Sequence, residues 1–261
     1  ATMSARAMGN EDYRRMTILL LPYMSCSAKL PVYGMIASAF FTRARGLVVL
    51  SLYIIGILTG ILTGVLFRRT LFKKNHAAFV MELPPYRVPS VKNTLLHVGE
   101  RVEHFIEKAG SIILVMSVVL WFLTRFDLTF TLTDHTELSL LGRFGALIAP
   151  LFKPLGFGNW QATVALLSGV VAKEAVVSSL SLFLGVTGSD ALAVALTGLF
   201  TPLSAYCFLV FVLLYVPCVA AVATMRRELH SARWTAFMVG YQVITAYLVA
   251  LLVHGIGSLL V

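Results

Sequence analysis

Apolar runs of membrane-spanning length alternate along the chain with short polar clusters, which predicts a set of packed helices. The cleanest run, Leu47 to Phe67, carries no charge and is long enough to cross a hydrocarbon core about 30 Å thick. Gly56, Gly60 and Gly64 recur every fourth residue on it, a small-residue stripe that predicts close packing of another segment. From Val91 the apolar positions Val91, Leu95, Val98, Val102, Phe105 and Ala109 share one helical face. His97, Glu100, His104 and Glu107 fall on the other, the wet side of a helix lying in the membrane interface; chelation of a divalent metal is the alternative use of that residue set. Ala109 to Leu123 continues as a second span, with Trp121 at aromatic-belt position. Phe144 to Phe157 is too short to cross and contains Pro150 and Pro154, so a re-entrant or interfacial piece is expected. Ser189 to Phe200 reads as a shorter helix with a Ser-Asp cap, and Ala236 to Val253 as a final span.

Three other runs are apolar enough for a membrane but interrupted near the middle. Leu19 to Phe41 contains Pro22, Ser25, Cys26, Ser27, Lys29 and Pro31. Each proline removes a backbone donor and crowds the preceding turn, and the freed carbonyls need partners in hydrocarbon. Two half-helices joined by an unwound PYMSCSAKLP segment are therefore expected, with Met24, Ser25 and Cys26 facing a cavity, as in transporters built on discontinuous helices. A proline-kinked packing helix is the alternative. Trp160 to Leu184 is long enough to span and carries Lys173 and Glu174 at its centre. On an unbroken helix Glu174 and Ser178 share a stripe with Ser181 while Lys173 points about 100° away, so an intramembrane carboxylate on a substrate path is expected, against a structural ion pair. Pro202 to Thr224 is apolar up to Pro217 and Cys218, where a proline again stands beside a cysteine; Cys207 has no such neighbour and reads as packing.

Composition confirms the class. The 261 residues are 58% hydrophobic and 13% charged, with mean hydropathy +0.86, which excludes an ordinary soluble domain. The net charge of +9 sits in clusters at the ends of apolar runs, which is topology-setting charge rather than a nucleic-acid surface. Arg68 to Lys108 is accordingly expected on the cytoplasmic side, as linker and interfacial helix, and the acidic loop Asp127 to Glu137 outside. Three cysteines without a CxxC pair indicate neither a disulfide framework nor a zinc ribbon. The fold class is all-α: a polytopic helical membrane protein with discontinuous helices and gate-type internal repeats. The repeat rests on Ala223-Thr224-Met225 recurring as Ala1-Thr2-Met3, each followed by basic residues and a span; a three-residue coincidence is the alternative.

PYMSCSAKLPVY, SGVVAKEAVVSSL and YVPCVAAVATMRRE together resemble three segments of the membrane domain of the ferrous iron transport protein B family, in the same order and spacing and over essentially the whole chain. The resemblance implies iron(II) transport across the bacterial inner membrane, driven or gated by an N-terminal GTPase domain that uses GTP and magnesium. It also implies small cytoplasmic accessory proteins as partners and leaves a homo-oligomer open. No G-x-x-x-x-G-K-[ST] phosphate loop occurs in the chain, and the family's first gate segment, G-C-N-V-P-A, is absent. The chain is therefore expected to be the C-terminal portion of a longer permease, with no cofactor and no enzymatic activity of its own.

On that reading iron(II), partly stripped of water, is held by Cys26 and Cys218 as metal ligands, with Met24, Ser25, Glu174 and Ser178 along the pathway and Pro22, Pro31 and Pro217 breaking the helices. Thiolate favours iron, copper and zinc over magnesium and calcium. A gate-type transporter of a small organic solute such as a nucleoside is one alternative, in which Lys173 and Glu174 would bind substrate. A membrane scaffold that transports nothing is the other.

Overall fold

The computed structural model describes residues 5, 8, 10–72, 90–127, 131–132, 137–186 and 188–260. Residues 1–3 of the candidate repeat, and the proline-rich part of the basic segment, lie outside them. Apart from one isolated bridge between Phe126 and Leu132, the described residues form only helices and turns.

Helix α1, Glu11–Leu20, starts where the Asn10 side chain accepts from the Asp12 N–H, and Glu11 and Asp12 in its first turn suit the positive end of the helix dipole. It stops ahead of Pro22, and α2, Leu30–Phe40, takes the chain onward. Pro31 does not break that helix, as the sequence pattern suggested. It occupies the first turn of α2, where its missing N–H costs nothing. Helix α3, Arg45–Thr70, is an uninterrupted span with an apolar, exposed outer face. Its glycine stripe is spent inside the molecule: a Cβ on Gly56 would stand 2.8 Å from the Tyr23 carbonyl oxygen, and one on Gly64 3.2 Å from Leu20 Cδ1. The stripe thus lets α3 lie directly against the end of α1 and the break after it.

Helix α4, Val91–Arg125, is continuous, so the expected interfacial helix and the following span are one element. Helices α5, Leu140–Phe152, and α6, Trp160–Val171, meet at 104° around Gly156, which adopts φ +82°. A bent pair of this kind is either a broken span or a re-entrant loop. Trp160 to Leu184 is not one helix. It is divided into α6 and α7, Ala175–Phe183, by an extended Ala172 and a turn at Lys173 and Glu174. The stripe Glu174, Ser178, Ser181 therefore begins at the N-cap of a short helix rather than at the centre of a long one. Helix α8, Ser189–Leu199, is capped by Gly188 at φ +102° and not by the expected serine, and packs on α2.

Helix α9, Pro202–Leu214, opens with a reciprocal Thr201–Ser204 capping box and is buried from Ala205 to Leu214 except at Tyr206. It forms the axis of the molecule, with Phe152, Phe157, Phe200, Phe208 and Phe211 packed edge-to-face and stacked around it. Cys207 is fully buried there, in keeping with a packing role. After a break, α10, Val219–Leu229, continues, turns at His230 (φ +49°), and α11, Ala232–Leu260, returns along α9.

A second core of Ile18, Leu19, Phe67, Met225, Leu229 and Met238 ties one end of the bundle together. Arg14, Arg15, Arg68, Arg69, Arg226, Arg227 and Arg233 belong to the same elements at that end, and Arg15 lies over the Trp234 ring. The concentration of arginine supports its assignment to the cytoplasmic side. On a cysteine-free background, Glu137→Cys is expected to react with an impermeant maleimide added outside and Arg233→Cys to react only after permeabilisation; the reverse pattern inverts the topology.

Candidate functional site

Three helix breaks converge beside α9. At the first, α1 gives way to a 3₁₀ turn at Leu21–Tyr23, then extended backbone at Met24 and Cys26, then a second 3₁₀ turn at Ser27–Lys29. The second is Ala172 to Glu174, between α6 and α7. The third runs from Tyr215 to Cys218, both extended, between α9 and α10. Thirteen residues of α9 rise roughly 20 Å, so this break falls within a core about 30 Å thick. Each break ends a helix and frees carbonyls that water would satisfy in a soluble protein.

Here two lysines satisfy them. Lys29, 3% exposed, donates from Nζ to the Leu213 carbonyl at 2.7 Å and to the Pro22 carbonyl at 3.3 Å. Lys173, 2% exposed, donates to the Val216 carbonyl at 2.7 Å and places Nζ 3.3 Å from the centre of the Tyr215 ring. The Tyr215 hydroxyl donates onward to the Leu166 carbonyl of α6 at 3.3 Å. The third break is therefore held by side chains from the first and second, and its own tyrosine reaches back to the second. Helix C-termini carry partial negative charge, so an ammonium group is the natural cap for them.

Both lysines lie within electrostatic reach of both Cys26 and Cys218, which come from segments far apart in sequence. Cys26 is exposed and Cys218 half-buried, whereas Cys207 is enclosed in the core. Ser25 Oγ is buried facing the Tyr33 hydroxyl. Met24 is 60% exposed and points away, into an open apolar groove of about 680 Å³ between α1 and α3 that ends at Arg68. Glu174 and Ser178 are exposed as well, and Lys173 spends its ammonium on Val216 and Tyr215 rather than on Glu174. Of the expected pathway residues, the fold thus gathers Cys26, Cys218 and Ser25 around the breaks and leaves Met24, Glu174 and Ser178 at exposed positions flanking them. Among the described residues, no three His, Cys, Asp or Glu side chains gather in a metal-ligating group. On α4, His97 and Glu100 form an exposed pair at 3.6 Å, while the side chains of His104 and Glu107 fall outside the description.

The sequence signal for this bracing is a lysine within three residues of each of two breaks, Lys29 and Lys173, in a chain with few intramembrane charges.

Long apolar helices together with bent and broken ones whose freed ends meet beside a buried axial helix define a multi-pass helical membrane protein. Residues 49–101 match the family described as ferrous iron transport protein B C terminus, and residues 106–232 match one described as nucleoside recognition, the gate family. The chain is 42% identical over 259 residues to the Fe(2+) transporter FeoB of Staphylococcus aureus (strain COL), covering 99% of this chain and 39% of that relative. It is 39% identical to the Fe(2+) transporter FeoB of Methanocaldococcus jannaschii, covering 100% of this chain and 40% of that one, and 32% identical to that of Escherichia coli (strain K12), covering 99% and 40%. The chain belongs to the ferrous iron transport protein B family and corresponds to its C-terminal part. It spans about 40% of the length of these relatives. No solved structure matches it.

Proposed function

We propose that this chain is the permease part of an iron(II) transporter of the inner membrane, and that the ion passes the node of broken helices, where Cys26 and Cys218 are its sulfur ligands. The observation that carries the proposal is that those two cysteines, one exposed and one half-buried, flank the first and third breaks, which Lys29 ties together by donating to the Pro22 and Leu213 carbonyls. Iron(II) is the substrate here, and sulfur donors suit it better than magnesium or calcium. Ligation must stay weak enough for release, and two sulfurs supplemented by Ser25 and water meet that condition better than a closed four-ligand site would. A GTPase domain elsewhere in the full-length protein would supply the drive or the gate, since the relatives are about two and a half times longer than this chain. Small accessory proteins, and assembly into a homo-oligomer, belong to the same proposal.

The gate-family match favours one second reading, a nucleoside-type solute. That reading needs a free Lys173 to bind substrate, whereas the lysine is committed to Val216 and Tyr215. Uptake of iron-55 under reducing conditions into proteoliposomes, measured beside labelled nucleoside, decides between the two. A non-transporting scaffold would move neither.

Glu174 stands at the second break, exposed and adjacent to Lys173. Because it is not that lysine's partner, Glu174→Gln is expected to insert normally and to lower iron(II) uptake several-fold by removing a carboxylate that attracts the cation. Uptake equal to wild type in the inserted variant assigns Glu174 to structure.

A further inference from the structure

A carbonyl-rich break at mid-membrane is ordinarily a hard, oxygen-donor site, the kind that binds alkali and alkaline-earth cations. In this protein three of those oxygens are already taken. Pro22, Leu213 and Val216 each accept from a buried lysine. A lysine N–H donor and a metal cation compete for the same carbonyl lone pairs, and Lys29 and Lys173, each fixed in the first or second break, are held beside them at high effective concentration.

Taken together, resting on the iron(II) reading above, we infer that Lys29 and Lys173 are specificity-determining positioning residues. They occupy the Pro22, Leu213 and Val216 oxygens at the first and third breaks, which shifts the donor set for the transported ion toward the sulfurs of Cys26 and Cys218. They also fix the third break mechanically: Lys29 holds Leu213 and Lys173 holds Val216, two residues before Cys218. Snorkelling is not what these side chains do, since their ammonium ends are enclosed rather than placed at an interface.

The test uses the full-length protein in proteoliposomes and compares Lys29→Met and Lys173→Met with Lys29→Arg and Lys173→Arg. The Met variants free the carbonyls without adding a charge; the Arg variants keep a cationic donor. Two readouts are taken. The first is the ratio of iron(II) to manganese(II) uptake, expected to fall several-fold in each Met variant, as oxygen donors become available to the harder ion, and to be largely kept by Arg. The second is independent of transport: the alkylation rate of Cys218 on a Cys26→Ser, Cys207→Ser background, expected to rise several-fold in Lys173→Met as the third break loosens. If a Met variant fails to insert, the corresponding Leu variant, which likewise carries no donor, is used, with the same directions expected. Ratios and alkylation rates within twofold of wild type in the Met or Leu variants overturn the inference. Absence of iron(II) uptake by the wild-type protein would instead remove the transport reading, and the alkylation series would still decide whether the lysines hold the break.

Discussion

Replacing Cys26 by serine is expected to reduce iron(II) uptake by roughly tenfold or more, given that even indirect changes around a metal cost roughly 10- to 100-fold in affinity. Manganese(II) uptake should fall much less. The argument turns on hardness: serine preserves size and hydrogen bonding but substitutes neutral oxygen for sulfur, so the loss is greatest for the softer ion. Cys26→Ala, which leaves no donor, should lower both. Cys218→Ser should behave like Cys26→Ser, because the two sulfurs lie in one neighbourhood with the same lysines. Cys207→Ser is the control, with its thiol enclosed in the α9 core. Parallel uptake of iron-55 and manganese-54 by purified, reconstituted variants checks this. Unchanged uptake of both ions by Cys26→Ser would show that the cysteine only packs.

The architecture was legible in the sequence wherever its cause is local. Helix α3 follows from an uncharged apolar run of sufficient length, the break after α1 from Pro22 amid polar residues, and the third break from Pro217 beside Cys218. What a long-range partner decides was not legible. Pro31 looks like a second breaker until it is seen in the first turn of α2. The α6–α7 break has no proline or glycine between Val171 and Ala175; what stands there instead is Lys173, whose partners Val216 and Tyr215 come from the third break. Periodicity over an unbroken helix therefore puts Lys173 and Glu174 alike at mid-span, and the fold separates them, burying Lys173 and exposing Glu174. The two cysteines were recognisable as candidates from their motifs, but only the fold brings segments so distant in sequence to one node.

The same node predicts an unusually severe effect for a small change, Gly169→Ala. A Cβ at this position would lie 2.4 Å from the Tyr215 hydroxyl oxygen and 2.5 Å from Val176 Cγ2. The strain has no easy outlet, because the hydroxyl is fixed by the Leu166 carbonyl and the ring is covered by the Lys173 ammonium. Inserting a methyl into such a site costs on the order of 1–3 kcal/mol, and losing the Tyr215–Leu166 hydrogen bond adds about 1 kcal/mol more. Gly169→Ala should therefore lower the midpoint of thermal unfolding in detergent by several degrees and impair transport together with it. A Tyr215→Phe change should return only part of the loss, since Val176 still obstructs the methyl. The triple variant Gly169→Ala, Tyr215→Phe, Val176→Ala should return most of it, a non-additive pattern expected only of groups in mutual contact. Additive losses across that series would mean that α6 does not approach the third break as closely as this structure places it, and the cross-bracing of the three breaks would lose its geometric basis.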